Sequence, residues 1–272
     1  MTRGRPALTT DTVAPLIVPS GPIALAAVVP EEPSTNTALA AALREDPQAW
    51  PHMSAYIADH QTAGRGRAGR VWETPAGTSL TVSWVIRPSA SGPDLAWAPL
   101  VVGLAAVRAA RSLGADAWIK WPNDVVVASG VGDVPGWGRW RKLAGILCEV
   151  VGDAVVAGTG VNVLQAADEL PVPHAVSFAA LGAEASRLDV LGALGRELRD
   201  AVAEWDADPT TVRHAVEAIC ATLGWDVAVD AGTGTPVAGR AVGLSEEGAL
   251  IVEGRSGTRT AVLAGDVRVR RS

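Results

Sequence analysis

Hydrophobic and polar residues follow two different spacings along this chain. Residues 79–87 alternate between the two types, and this period of two predicts a half-buried β-strand. Its core face would carry Leu80, Val82, Trp84 and Ile86. Residues 95–113 and 187–205 instead place apolar side chains three or four positions apart, as on one face of a helix. Both segments are therefore predicted to be amphipathic helices.

Shorter segments complete a mixed pattern of strands and helices. Further strands are predicted at residues 23–29, 53–59, 118–128, 142–151 and 154–164, and further helices at residues 37–43 and 212–223. From Trp225 onward, short strands separated by glycine turns predict a small β-barrel. We therefore divide the chain into a lead-in at residues 1–22, a larger domain at residues 23–224 and a barrel domain at residues 225–272.

Composition narrows the classes of function. The chain has 272 residues, 48% of them hydrophobic, which is enough for a substantial core. A net charge of −6 and a pI near 5.3 argue against general nucleic-acid binding. Cys148 and Cys220 lie in apolar surroundings without metal-ligand spacing, which predicts reduced core residues in a cytoplasmic protein. We see no apolar run of membrane-spanning length, so neither nucleic acid nor membrane is an expected partner.

The most distinctive segment is rich in glycine and arginine and covers residues 61–72. Its glycines allow a close approach to a ligand, whereas Arg65, Arg67 and Arg70 offer guanidinium groups to carboxylate or phosphate oxygens. Trp72 adds a flat face that can stack on a ring. The segment is therefore predicted to wrap an anionic small molecule. An RNA-binding tail is disfavoured because predicted strands flank it, and a Walker-type loop because no Gly-Lys-Ser/Thr follows.

Lysine is unusually rare in this chain. Among 23 lysine and arginine residues, only Lys120 and Lys142 are lysines, which makes both positions candidates for chemistry that arginine cannot supply. Lys120 opens the sequence Lys-Trp-Pro-Asn-Asp, in which Pro122 interrupts a strand ladder. Asn123 and Asp124 then lie on irregular backbone at a strand end, where catalytic groups are often found.

Two more segments carry candidate functions. Ser34-Thr35-Asn36 precedes a predicted helix, where a hydroxyl group is interpreted as the N-cap and ligand binding is the alternative. Residues 129–141 form a glycine- and tryptophan-rich loop that is longer than a tight hairpin. Trp137 and Trp140 in this loop are expected to pack on a neighbouring element.

Four segments together resemble the signatures of the biotin protein ligases, also called biotin–[acetyl-CoA-carboxylase] ligases. They are Ser34-Thr35-Asn36, residues 61–67, residues 120–124 and residues 142–147, and they occur in the family's order. The resemblance covers most of the chain, from the first predicted strand into the last one. It implies an α+β fold with a mixed central β-sheet flanked by helices, similar to class II aminoacyl-tRNA synthetases. A C-terminal SH3-like β-barrel is implied as well.

The resemblance also implies a two-step reaction. Biotin and ATP with Mg²⁺ would give biotinyl-5′-AMP, and the biotinyl group would then pass to a lysine of a biotin carboxyl carrier domain of an acyl-CoA carboxylase. Catalytic roles are implied for Lys142, Arg67, Lys120 and Asp124, and Asp124 would orient the adenylate or help to deprotonate the incoming lysine. Trp72 would cover the adenine. Contacts with biotin or nucleotide are implied for Ser34, Thr35, Asn36, Gln61, Gly64, Arg65, Arg67, Arg70, Trp72, Lys120, Asn123, Lys142, Gly145 and Asn162. The metal ligands and the oligomeric state stay open.

Two departures from the family pattern bear on function. The segment before Ser34 is too short and too rich in proline for the winged-helix domain of the bifunctional members, so DNA binding is not expected. Val176-Ser177-Phe178 stands where the family has Thr-Ser-Leu, which weakens a role for Ser177. Two alternatives stay open at this point. One is a lipoate or octanoate ligase of the same superfamily, and the other is a biotin sensor without ligase activity.

Overall fold

The computed structural model describes residues 5–232 and 235–269, which contain two main β-sheets and the helices that cover the larger one. The first four residues of the predicted lead-in and the last three of the predicted barrel domain lie outside these ranges. The strands of the first part of the chain are β1 Leu25–Glu32, β2 Ser54–Gln61, β3 Gly64–Arg65, β4 Val71–Trp72, β5 Ser79–Ile86, β6 Ala117–Lys120, β7 Asp124–Ala128, β8 Trp140–Val151 and β9 Ala154–Asn162.

Seven of these strands form a mixed central sheet in the order β1-β2-β5-β9-β8-β7-β6, in which only the pair β1 and β2 is parallel among the described strands. The helices are α1 Thr10–Val13, α2 Thr35–Glu45, α3 Ala98–Ser112, α4 Arg187–Ala207 and α5 Pro209–Ala218. Helices α3 and α4 pack on each other and against one face of the sheet, and α2 packs against the other face. The predicted mixed sheet flanked by helices is therefore confirmed.

The segment Gly92–Ser112, which ends with α3, has the length and apolar composition of a membrane span, contrary to the expectation from the sequence. However, 67% of its most apolar window is buried inside the protein, where it packs against α4 and several strands of the central sheet. Apolar residues all round a helix are also what a core position requires. The segment is therefore accounted for as a helix of the hydrophobic core.

Strand β5 is buried along its whole length, and the prediction of a half-buried strand is wrong. The apolar side chains of Leu80 and Trp84 face the helical core as predicted. The polar side chains of the other face are covered too. Thr81 donates a hydrogen bond to the carbonyl of Ala58 at 2.8 Å, and Ser83 is held by residues of α2. The polar side chains of this strand therefore face the interior of the protein, Thr81 at the cavity and Ser83 at α2, and not the solvent.

The predicted strand at residues 118–128 is in fact a hairpin, because the chain reverses direction between β6 and β7. The reversal occurs at Trp121, Pro122 and Asn123, with a cis peptide bond between Trp121 and Pro122. Asn123 donates a hydrogen bond to the carbonyl of Ile146 at 2.7 Å, and the Ile146 amide donates to the Asn123 carbonyl at 2.9 Å. The turn is thus fixed to β8, and Lys120 and Asp124 are placed opposite each other.

The predicted helix at residues 212–223 ends earlier, at Ala218. The chain leaves the helix to pair with the edge strand β6. Ile119 donates its amide to the carbonyl of Ile219 at 2.9 Å, and Ala221 donates to the carbonyl of Ile119 at 2.8 Å. These bonds satisfy backbone groups that a longer helix would leave unpaired at the sheet edge.

Residues 5–22 of the predicted lead-in pack on the larger domain. Leu8 and Val13 are part of its core. The Leu8 amide donates to the carboxylate of Asp59 at 2.7 Å, and the buried guanidinium of Arg187 donates to the same carboxylate and to the Pro6 carbonyl, both at 2.7 Å. A buried arginine requires such partners, so this segment is tied to the sheet through Arg187.

The C-terminal sheet contains β10 Asp226–Asp230, β11 Val237–Leu244, β12 Leu250–Glu253, β13 Arg259–Val262 and β14 Asp266–Val269. All its pairs are antiparallel, in the order β13-β12-β11-β10-β14, which confirms the predicted small β domain. Two buried tryptophans of the larger domain anchor the turn before β12. The indole of Trp97 donates to the Glu246 carbonyl at 2.6 Å, and that of Trp121 donates to the Gly248 carbonyl at 2.9 Å.

Candidate active site

A cavity of about 640 Å³ lies between the N-terminus of α2, the glycine-arginine segment, strands β5, β8 and β9, and the C-terminal sheet. This volume is typical of a small-molecule site. Of the predicted site residues, only Gly64 is absent from its lining. The others are Ser34, Thr35, Asn36, Gln61, Arg65, Arg67, Arg70, Trp72, Lys120, Asn123, Asp124, Lys142, Gly145 and Asn162. Gly64 lies behind this lining, where a side chain would collide with Gln61 and Trp72.

Three glycines on adjacent strands form the floor of the cavity. Gly145 pairs directly with Gly160, and Gly158 lies two positions along the same strand, so all three face the same side of the sheet. A methyl group on Gly158 would collide with the side chain of Asn36, and one on Gly160 would collide with the indole of Trp72. Glycine is therefore required here by close packing of other side chains on the sheet.

The end of the cavity at α2 is uncharged at its centre and rich in hydrogen bonds. Ser34 caps α2 by accepting from the Thr37 amide, as predicted. Gln61 accepts from both the amide of Thr35 at 2.9 Å and its hydroxyl at 3.1 Å. Asn36 accepts from Ser83 at 2.6 Å and donates to the Leu147 carbonyl at 3.0 Å and to the Glu149 carboxylate at 2.8 Å. This network fixes the side chains before any ligand binds.

The opposite end is charged. Asp124 is almost fully buried and lies 2.6 Å from the ammonium of Lys142 and 3.6 Å from that of Lys120. Burial alone would raise the pKa of Asp124, but the two ammonium groups outweigh it and hold this pKa below its usual value. Burial also lowers the pKa of Lys120, and Asp124 only partly offsets the effect. Asp124 is thus an ionised carboxylate at neutral pH.

A β-bulge turns Lys142 toward the cavity. On β7, Val125 and Val126 are consecutive, but their partners on β8 are Ala144 and Lys142, so Leu143 is the extra residue. Leu143 and Ala144 both pack in the helical core. A regular alternation from Gly145 would point Lys142 away from the cavity, and the extra residue restores it to the cavity face. The predicted strand at residues 142–151 contained no signal for this shift.

The glycine-arginine segment forms a small hairpin of β3 and β4 instead of an unpaired loop. Its turn contains Ala68 with φ of 52° and Gly69 with φ of 72°. The guanidinium groups of Arg65 and Arg70 have different partners. That of Arg65 donates to the Thr37 hydroxyl at 2.9 Å and lies 3.5 Å from Glu149, and that of Arg70 contacts Asp266 of the C-terminal sheet. Arg67 is half-buried, and burial lowers its pKa.

Trp72 and Asn162 are placed by different neighbours. The indole of Trp72 lies over Gly145 and Gly160, and the ammonium of Lys142 lies 5.3 Å from its ring centroid. Its indole nitrogen is buried and has no hydrogen-bond partner among the described residues. Asn162 donates to the Val176 carbonyl at 3.1 Å and accepts from Gln165 at 3.0 Å. Asn162 therefore supports the backbone beside Lys142.

The sequence did not predict several residues that line the cavity. His174 comes from the loop after β9, and Asp266 and Arg268 come from the C-terminal sheet. Trp137, which was expected to pack on some neighbour, lies at the charged end and stacks on His174. Burial and the Lys142 charge lower the pKa of His174, so its ring is neutral at neutral pH. The only sequence signal was the unusual glycine and tryptophan content of residues 129–141.

Other predicted features lie outside the cavity lining. Ser177 is buried and donates to the Gln165 carbonyl at 2.6 Å, which agrees with its weakened functional role. Trp140 packs beside Trp225 with ring centroids 5.5 Å apart. Both cysteines are free, but Cys148 is only partly buried and lines a second depression together with residues 65–69 of the glycine-arginine segment. Burial raises the pKa of Cys148 to about 12, so it stays a thiol.

Comparison with known proteins agrees with the fold and the site. Residues 28–164 match the model of the Biotin/lipoate A/B protein ligase family, and residues 223–270 match that of the Biotin protein ligase C terminal domain. The chain therefore belongs to the biotin protein ligase family.

Individual relatives agree with this family. The Biotin--[acetyl-CoA-carboxylase] ligase of Mycobacterium tuberculosis is 37% identical over 220 residues, which are 78% of this chain and 77% of that protein. The Bifunctional ligase/repressor BirA of Bacillus spizizenii is 27% identical, and the match covers 77% of this chain but only 64% of the relative. The structure of the biotin protein ligase from Aquifex aeolicus in complex with biotin and ATP superposes with a TM-score of 0.73 at 26% identity, covering 92% of this chain and 100% of that one.

Proposed function

We propose that this chain is an ATP-dependent biotin protein ligase, which activates biotin as biotinyl-5′-AMP and transfers the biotinyl group to a lysine of a carboxylase carrier domain. One observation carries the proposal. A single cavity joins a neutral, hydrogen-bonded end at Thr35 and Gln61 to a charged end at Lys142 and Lys120. Biotin and the reacting phosphate of ATP require these two environments side by side.

The neutral end suits the ureido ring of biotin. This ring is uncharged and planar, and it needs fixed donors and acceptors in a narrow space. Ser34, Thr35 and Gln61 supply them, and Asn36 is held rigid by its three hydrogen bonds. The floor glycines let Asn36 and Trp72 pack closely on the sheet, so a bound ring would lie against these two side chains. A thiophane ring and valeryl chain would then lead toward the charged end.

The charged end suits the first step. An oxygen of the biotin carboxylate attacks the α-phosphorus of ATP, the bond to the bridging oxygen of the β-phosphate breaks, and pyrophosphate leaves with that electron pair. Two anions must meet, and negative charge grows on the phosphoryl oxygens. Lys142 offsets both charges, while Lys120 and Arg67 stabilise the phosphates. Asp124 holds the Lys142 ammonium closely, at 2.6 Å, and lies 3.6 Å from that of Lys120, so both ammonium groups share one carboxylate.

In the second step, the amine of the carrier lysine attacks the carbonyl carbon of the mixed anhydride, and AMP leaves. Asp124 is a weak candidate for the base that accepts the amine proton, because two ammonium groups lower its pKa. Its role is therefore to position Lys142 and Lys120, not to deprotonate. Trp72, which already lies flat on the floor glycines, would cover the adenine after it turns toward the nucleotide.

Magnesium would arrive with the phosphates of ATP. Across residues 5–232 and 235–269, no three His, Cys, Asp or Glu side chains group together as metal ligands. Magnesium commonly keeps several waters and binds substrate phosphates, so a complete protein cage is not needed.

The protein partner is a carrier domain of an acyl-CoA carboxylase, and the two free cysteines fit a cytoplasmic location.

Biotin-dependent release of pyrophosphate from ATP tests the proposal directly. The purified chain is incubated with ATP, magnesium and biotin, and lipoate or octanoate replaces biotin in parallel samples. We expect release only with biotin, followed by labelling of an added carrier domain. Release of pyrophosphate with lipoate but not with biotin would indicate a lipoate ligase. No release with any of these acids would leave a biotin-binding protein without ligase activity.

The floor glycines provide a sharper test of the biotin end. In Gly158→Ala the new methyl group collides with Asn36, whose network leaves it little room to move. Overpacking of this kind costs ~1–3 kcal/mol, so we expect the KM for biotin to rise roughly tenfold or more while that for ATP changes little. The control is Gly243→Ala, a strand glycine with open space around it. A parental KM for biotin in Gly158→Ala would contradict this assignment of Asn36.

A further inference from the structure

The hairpin at residues 129–141 brings an aromatic side chain into the charged end of the cavity, and the mechanism above gives it no role. The ring of Trp137 stacks on that of His174, with centroids 4.3 Å apart and planes at 11°. The ammonium of Lys120 lies 4.3 Å from the centroid of the Trp137 ring. This distance is within the range of a cation–π contact.

Lys120 needs such a contact because its ionic partner is shared and distant. Only 4% of Lys120 is exposed, and its nearest carboxylate oxygen, on Asp124, is 3.6 Å away. The other oxygen of Asp124 makes the short 2.6 Å contact with Lys142. A buried ammonium without a close anion is costly, and the negative face of an indole ring reduces that cost most where water is excluded.

The hairpin holds Trp137 in a fixed place. The Trp137 amide donates to the Val134 carbonyl at 2.9 Å, and the Val269 amide of β14 donates to the Gly136 carbonyl at 3.0 Å. The Arg141 guanidinium donates to carbonyls of the same hairpin at 2.7 Å. The ring is therefore supported both from within the hairpin and from the C-terminal sheet.

We infer that Trp137 is a positioning residue for the nucleotide. Its ring holds the Lys120 ammonium at the place where the phosphate groups of ATP enter, and it thereby sets the affinity for ATP without contacting biotin. The inference rests on the proposed function, because that function assigns Lys120 to the phosphates. The length of the hairpin allows it to contact both Lys120 and β14.

The test compares Trp137→Leu, which removes the aromatic face, with Trp137→Phe, which keeps it. Val131→Ala is the matched control, because Val131 lies on the same hairpin and is 79% exposed. Steady-state pyrophosphate release gives KM for ATP and for biotin separately, and melting temperatures check the fold. Loss of a desolvated cation–π contact should raise the KM for ATP about tenfold in Trp137→Leu and at most about threefold in Trp137→Phe, with KM for biotin within about twofold of the parent.

Failure of the inference is distinct from failure of the proposed function. If the parent releases no pyrophosphate with biotin, the proposed function is wrong, and the inference falls with it. If the parent is active, three results overturn the inference alone. These are a parental KM for ATP in Trp137→Leu, an equal rise in KM for both substrates, or the same rise in Trp137→Phe as in Trp137→Leu.

Discussion

Lys142→Arg should keep its fold and lose most of its adenylation activity. The Lys142 ammonium lies 2.6 Å from Asp124 and packs over Gly145 beside the indole of Trp72. A guanidinium is wider and planar, and it would pair with Asp124 through two hydrogen bonds instead of staying available to the substrate. Removal of a charge-stabilising group costs ~3–4 kcal/mol, and a misplaced charge should cost nearly as much, roughly a hundredfold in rate.

Biotin-dependent pyrophosphate release at saturating ATP measures this effect, with the melting temperature recorded for the same sample. Arg199→Lys is a control for lysine–arginine exchange, because Arg199 is exposed and pairs only with its neighbour Asp200 among the described residues. Near-parental rates in both variants would show that Lys142 is a replaceable charge. A lower melting temperature in Lys142→Arg would instead point to a structural fault.

Asp124→Asn should lower both stability and activity. The substitution leaves two ammonium groups near each other without a carboxylate between them. Breaking a buried ion pair by removing one partner destabilises the fold by ~3–5 kcal/mol. Because Lys142 is partly exposed, the loss of stability here should lie at or below the lower end of this range. The rate of adenylation should fall by at least about tenfold, because both lysines lose the group that positions them.

The pH dependence of this effect has a defined sign. The pKa of Asp124 is lower in the folded chain than its ordinary value of 3.8. The ionised carboxylate therefore stabilises the fold at all pH values above about 4, and the stabilisation disappears as pH falls through the lowered pKa. In urea unfolding, the parent should have a larger free energy of unfolding than Asp124→Asn at pH 7, and this difference should shrink in acid. Asp200→Asn, an exposed control, should differ little from the parent at any pH. A difference that persists unchanged in acid would contradict this role of the Asp124 charge.

Local patterns predicted the parts of this fold that depend on neighbouring residues in the chain. The alternation around Trp84 and the three- and four-residue spacing of Leu194 and Leu198 correspond to β5 and α4. The same is true of the Ser34 cap, which needs only the Thr37 amide three positions away. The two lysines that stand out by their scarcity are brought by the fold to one carboxylate, at Asp124, and their catalytic role stays a prediction.

Features that depend on distant segments were not visible in the sequence. The bulge at Leu143 follows from the pairing of β8 with β7, and the strand sequence alone gave no reason to expect it. The polar face of β5 was assigned to solvent, since nothing local showed that Ser83 would meet α2. Likewise His174 and Asp266 enter the cavity from segments far along the chain, where their own neighbours give no motif.

The two indole bonds to the turn before β12 have a consequence for how the molecule unfolds. Trp97 and Trp121 donate across the boundary between the two sheets, and both rings are buried. Separation of the sheets would expose these rings and release two buried donors, at a cost of several kcal/mol in apolar burial and hydrogen bonding. Trp121 is also adjacent to the turn that carries Asn123 and Asp124. We therefore expect the C-terminal sheet and the larger domain to unfold together, as one calorimetric transition.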